Sequence, residues 1–192
     1  MNKKTIIFKT AIQLFAAQGY EATTTLQVAK EVGVTEPAVF YYYNGKETLF
    51  SAVLEEASTS YLRHIELLDL SCASALESLT ELIKIHFSIV IKEPEFMRIL
   101  LRTCSARLDD PENTCTKIYR EARFKLKETM RAILEKGWAS GEFIKADIDA
   151  TANMLIALLN GLMHQQIAGM DQLKGVEAAT IQFCRNALLS ET

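Results

Sequence analysis

At 192 residues and 49% hydrophobic side chains, the chain is sized for one domain or two small ones and has ample material for a core. A formal net charge of −3 excludes a protein that coats nucleic acid through bulk positive charge, although the charge is uneven: residues 1–50 carry five lysines against four glutamates, the remainder sixteen basic against twenty acidic residues. The most apolar window, 150–163, is shorter than the ~18 residues of a membrane span, and no secretory leader pattern opens the sequence, so a soluble, cytoplasmic protein is expected.

Helical periodicity runs throughout, and no alternating strand pattern interrupts it. The first helix is expected over 3–18, with Ile7, Ala11, Leu14 and Phe15 on one face and Gly19 as its stop. Thr24 followed by Gln27 is a capping box, in which hydroxyl and amide each satisfy an orphaned backbone N–H, and Gly33 supplies a left-handed end, so a short helix spans 24–32. Thr35 can cap a second short helix over 36–43, with Pro37 in its first turn where a missing N–H costs little. Two such helices joined by a glycine turn form a helix-turn-helix pattern, which implies an α-helix offered to the DNA major groove. The run Phe40-Tyr41-Tyr42-Tyr43 strengthens it, because four aromatics on two turns cannot all face one core. A tyrosine left outside can bond phosphate oxygens while its ring packs on sugar or a thymine methyl.

A fourth helix starts near Lys46 and runs through Ile65, long enough to leave a first domain and enter a second. Further helices are expected at 73–91, 95–107, 114–139 (its end bracketed by Gly137 and Gly141), from an Asp147 or Asp149 cap to about 168, and at 174–189, with a surface loop at 108–113. The segment 150–163 is apolar nearly all round and must be covered on more than one side. Met154, Leu158 and Leu162, with Ile181, Cys184 and Leu188 of the last helix, are therefore expected to form a four-helix interface across a two-fold axis, burial within one subunit being the alternative.

The four cysteines are scattered without C-x-x-C spacing, and none of the three histidines has a glutamate three residues before it, so neither a metal site nor a carboxylate-bridged metal centre is expected, and no cofactor. No phosphate loop or hydrolase motif occurs, which sets aside a helical-bundle enzyme; a helical protein–protein adaptor would leave the tyrosines and caps without a purpose. Cys104 and Cys115 are the pair to consider for a redox switch.

Residues 4–54 resemble the DNA-binding domain of the TetR (tetracycline-repressor-like) family of bacterial transcriptional regulators. The resemblance rests on Ile12, Phe15, Gly19-Tyr20, Thr23-Thr24, Val28-Ala29, Gly33-Val34-Thr35, the aromatic run, and Lys46 with Leu49. It implies an all-α protein of about nine helices: a helix-turn-helix domain over 1–46 and a larger helical ligand-binding and dimerisation domain over 47–192. It further implies a homodimeric repressor on a near-palindromic double-stranded operator, released by a small molecule. By the same resemblance Thr24 and Thr25 lie near phosphates, Thr35, Glu36, Pro37, Tyr41 and Tyr42 at the groove, and Lys46 at a phosphate. The chain departs from the family pattern at Pro37, often glycine there, and at Phe40, usually a phosphate-binding tyrosine. Glu36 either accepts from a cytosine amino group or stabilises the start of its own helix. Candidates for an apolar or aromatic effector pocket are Phe87, Phe96, Met97, Leu101, Trp138, Asn160 and His164.

Overall fold

The computed structural model describes residues 2–71, 74–100, 110, 112–167 and 174–190. Among these residues nine helices follow one another with no strand: α1 (Lys3–Ala22), α2 (Thr25–Val32), α3 (Glu36–Tyr43), α4 (Lys46–Glu66), α5 (Ala75–Lys92), α6 (Pro94–Ile99), α7 (Thr114–Ala139), α8 (Ile148–Ile167) and α9 (Val176–Leu188). Among them no helix is long and apolar enough to cross a membrane. Leu101, the thiols of Cys72 and Cys104, and the far end of the helix expected at 95–107 lie outside the described residues, as do most of the expected 108–113 loop and the side chain of Cys115.

The chain divides into two compact units, Met1–Ser60 with Glu93–Arg120, and Tyr61–Lys92 with Glu121–Thr192. In the first, Ile7, Ala11 and Phe15 of α1, Val28 and Ala29 of α2, Val39 of α3, and Leu49, Phe50, Val53 and Leu54 of α4 close one core. Phe15 meets Phe50 edge-on at 4.8 Å, the arrangement a ring quadrupole favours. Asn2 opens α1 by accepting from the Lys4 backbone N–H at 2.9 Å. Gly19 does not end the helix as expected: at φ 82, ψ 174 it kinks the chain, and helical turns resume to Ala22. Glycine carries this conformation because a Cβ there would be strained.

One local expectation changes. Thr35 does occupy the N-cap position of α3, but its hydroxyl makes no capping bond; only its carbonyl takes part, accepting from the Ala38 N–H at 3.0 Å. α7 ends at Ala139, between Gly137 in its last turn and Gly141 just beyond it, as expected.

In the second unit α5 is the central element, burying Leu79, Leu82, Ile83, His86, Phe87, Ile89 and Val90. Its start is capped twice. Ser74 and Glu77 form a reciprocal box, Glu77 N–H donating to Ser74 Oγ at 3.1 Å and Ser74 N–H to Glu77 Oε2 at 2.8 Å. The Glu142 carboxylate, far along the chain, accepts from the N–H groups of Ala75 (2.9 Å) and Leu76 (3.1 Å), placing negative charge at the positive helix end. Asp147, rather than Asp149, caps α8 by accepting from the Ala150 N–H at 2.8 Å. Asp149 instead pairs with Lys127 at 2.8 Å and Arg131 at 3.1 Å, and the cations hold its carboxyl below the usual range.

Candidate nucleic-acid interface

α2 and α3 meet at a turn whose geometry is set by Gly33, left-handed at φ 74, ψ 36, with the Val34 N–H returning to the Ala29 carbonyl at 2.9 Å. The capping box at the start of α2 is complete: Gln27 N–H donates to Thr24 Oγ1 (3.1 Å) and Thr24 N–H to Gln27 Oε1 (2.9 Å). On α3, Val39 and Tyr43 stand one turn apart and are buried, which turns the opposite face outward. Thr35 and Pro37 are exposed, and so are Phe40 and Tyr41, the latter at 83%. The aromatic run is thus divided. Tyr43 stacks on Phe8 inside the core, where burial pushes its hydroxyl pKa up, and Tyr42 is half-buried with its ring edge-on to Tyr41 at 5.1 Å.

Three residues expected at DNA are engaged within this unit. Thr25 is buried, and its hydroxyl donates to Glu36 Oε1 at 2.6 Å. Glu36 is half-buried at the first position of α3. Lys46 sends its ammonium over the Tyr20 ring, 4.1 Å from the centroid, and donates to the Glu21 carbonyl at 3.3 Å. The N-terminus of α4 is thereby tied to the end of α1.

The described effector candidates divide between the two units. Phe96 and Met97 belong to the first unit, Phe96 against its core. Phe87 is buried in the second unit, Trp138 and Asn160 are half-buried, and His164 is exposed. A narrow apolar void in that unit lies instead among Leu79, Ile83, Met130, Leu155, Leu159 and Cys184, with no room for a water-sized sphere. A pocket of about 220 Å³ in the first unit is lined by Tyr20, Phe50 and Leu54 with Glu47, Ser51 and Asp110 among others.

Of the residues expected at a two-fold interface, Cys184 and Leu188 are buried within their own unit, 2% and 6% exposed, because α9 packs this edge against α5. Met154 is 55% exposed, and Leu158, Leu162 and Ile181 are half-buried. Phe183, 57% exposed on α9, adds a large apolar side chain that helical spacing alone did not single out.

His86 is a fully buried ionisable group of the second unit. Its Nδ1 lies 2.9 Å from the Leu82 carbonyl, which can only accept, so Nδ1 carries the proton and Nε2 accepts from the Tyr61 hydroxyl at 3.0 Å. Burial pushes its pKa below the ordinary 6.5. The unfolded chain then takes up a proton that the folded chain refuses, so stability is intact above pH 6.5 and is lost as pH falls below it. The slope approaches ~1.4 kcal/mol per pH unit down to the lowered folded value. Melting temperature between pH 7.5 and 5.5 is expected to fall more steeply for the native chain than for His86→Leu; parallel profiles would refute the buried neutral imidazole.

A family model described as bacterial regulatory proteins, tetR family, matches residues 7–53, and one described as a tetracyclin repressor-like C-terminal domain matches residues 72–164. The chain is 29% identical over 94 residues to the HTH-type transcriptional repressor NicS of Pseudomonas putida, across 49% of this chain and 44% of NicS. It is 23% identical over 167 residues to the HTH-type transcriptional regulator SrpR of Pseudomonas putida, across 86% of this chain and 76% of SrpR. The chain thus spans less than half of NicS but three quarters of SrpR. Among solved structures, the ketosteroid transcriptional regulator KstR2 of Mycobacterium tuberculosis superposes with a TM-score of 0.82 at 16% identity, covering 99% of this chain and 96% of that one, a likeness of fold.

Proposed function

Since the chain belongs to the TetR family of bacterial transcriptional regulators, we propose that it is a homodimeric repressor, and not an enzyme, that binds a near-palindromic operator in the cytoplasm and leaves it when a small apolar or aromatic effector binds. The observation that carries this reading is the outward face of α3, where Tyr41 is 83% exposed beside Thr35 and Pro37 on a helix whose other face is locked into a core. A large aromatic kept in water, its ring meeting that of Tyr42 alone among the described residues, suits a groove surface. The proposed division of labour places DNA recognition in 1–46 and effector binding and dimerisation in 47–192. Thr24, Thr35, Glu36, Pro37, Tyr41 and Tyr42 are the proposed contacts, with Thr25 and Lys46 acting through the backbone geometry they hold.

Footprinting of the purified protein on DNA upstream of its own and neighbouring genes is expected to show two protected half-sites about one helical turn apart. Absence of any protected site would sink the regulator reading. Within a bound operator, Tyr41→Ala is expected to weaken affinity on the order of tenfold while unfolding free energy stays within about 0.5 kcal/mol, because the side chain is exposed. Tyr42→Ala is the poorer test, since Tyr42 also packs on the core and loses stability with affinity.

For release, α4 is the proposed lever: one unbroken helix from Lys46 to Glu66, whose tilt would spread the recognition helices away from one-turn spacing. The apolar second unit, and the ketosteroid regulator that shares the fold, support an apolar effector. A compound that raises the melting temperature yet leaves operator affinity unchanged argues against this coupling.

A further inference from the structure

We propose that Glu36, held in place by Thr25, reads a cytosine in each operator half-site by accepting from its N4 amino group. This inference rests on the DNA-recognition reading above. Glu36 stands at the first position of α3, between the exposed Thr35 and Pro37, at the end of the helix that enters the groove in this architecture. Its Oε1 is taken by the Thr25 hydroxyl at 2.6 Å, a bond between the two helices of the motif, while Oε2 accepts no hydrogen bond from the described residues. The carboxylate is therefore fixed in direction with one anionic acceptor left over.

Chemistry narrows what that acceptor can meet. Phosphates repel it, and the major-groove edges of guanine and thymine offer acceptors only, so both leave it unpaired. Cytosine presents a donor with no adjacent acceptor, and adenine pairs its donor with an N7 that repels a carboxylate. A residue needed only to receive the Thr25 hydroxyl would not require a charge, and residues 1–50 have little positive charge to spare, five lysines against four glutamates. The cost of the carboxylate near phosphates is offset only where cytosine answers it, which makes the group a selector against other sequences rather than a source of general affinity.

The test is selection by the full-length protein from double-stranded oligonucleotides with a randomised central segment, followed by binding measurements on the enriched sequence and its single-position variants. The native chain is expected to enrich an operator with cytosine at one position of each half-site, and changing that base is expected to weaken binding roughly ten- to hundredfold. Glu36→Gln keeps an oxygen for Thr25 to donate to and puts an amide N–H where Oε2 stood. It is expected to fold with an unchanged melting temperature and to move the preference at that position from cytosine to a base with a major-groove acceptor. Thr25→Val, which frees the carboxylate, is expected to keep the preferred base and lose several-fold of the discrimination. Enrichment of the same base at every position by native chain and Glu36→Gln, or a uniform gain in affinity for all DNA on losing the charge, overturns the proposal while leaving DNA recognition standing. A native chain that enriches no sequence removes the DNA-recognition reading and this proposal with it.

Discussion

Gly137→Ala is expected to destabilise the second unit by roughly 1–3 kcal/mol, lowering the melting temperature by about 2–4 °C for each kcal/mol. The sign is the informative part. Glycine inside a helix ordinarily costs up to ~1 kcal/mol relative to alanine, so the exchange should stabilise α7. Here a Cβ at position 137 would overlap the ring of Phe143. The ring cannot withdraw cheaply, because its backbone is pinned on three sides. Phe143 N–H donates to the Gly137 carbonyl at 3.0 Å, Ile144 N–H to the Leu188 carbonyl at 2.8 Å, and Ser190 N–H to the Glu142 carbonyl at 3.0 Å. Phe143 is 2% exposed and pairs with Leu189 in an isolated antiparallel bridge that fastens the α7–α8 connection to the end of α9. Overpacking of a pinned ring outweighs a gain in propensity. Urea or thermal unfolding followed by circular dichroism decides it, and Phe143→Leu in the same chain is expected to return part of the loss by making room. A stabilised Gly137→Ala would mean that the ring does not rest on this glycine.

That clasp also shows where sequence reading stops. The bounds of α2 and the start of α4 fall where Thr24, Gln27, Gly33 and Lys46 place them, since caps and left-handed turns act within four residues of themselves. The box Ser74 and Glu77 was equally local and passed unread. Gly137 marks the last turn of α7 in sequence as it does in the structure, but the reason that no larger residue fits there appears only with Phe143 folded back against it. Glu142 reaching the start of α5 and Thr25 reaching Glu36 are likewise invisible to periodicity, because each joins residues whose separation follows no helical period. The outward face of α3 was legible as a pattern, since a run of four aromatics must divide between core and water. An effector site is harder to read, because an aromatic or methionine on an apolar helix face looks the same in sequence whether it fills a core or lines a cavity.

The second large effect is expected from Phe183→Lys, which should yield a monomer and lower operator affinity by on the order of a hundredfold or more. Met154 and Phe183 are 55% and 57% exposed, with Leu158, Leu162 and Ile181 half-buried on the same two helices, α8 and α9. Both helices pack against α5 and converge on the void lined by Leu155, Leu159 and Cys184, so their outer sides belong to one supported surface. In a two-fold contact each such side chain counts twice, and burying a phenylalanine contributes about 1.5–3 kcal/mol per copy. A lysine there brings two desolvated charges in place of two rings, which removes the apolar gain and adds a penalty of several kcal/mol. The effect on DNA follows from geometry. A single α3 of eight residues reads few base pairs, and only two linked copies reach the affinity of specific operator binding over non-specific binding, which differ by roughly 10³–10⁷. Because Phe183 is exposed in its own unit, the variant should keep its helical content. Light scattering is expected to shift from twice the 21.5 kDa subunit mass to that mass itself, together with loss of the footprint. A dimer that persists with full operator affinity would place the two-fold contact away from α8 and α9.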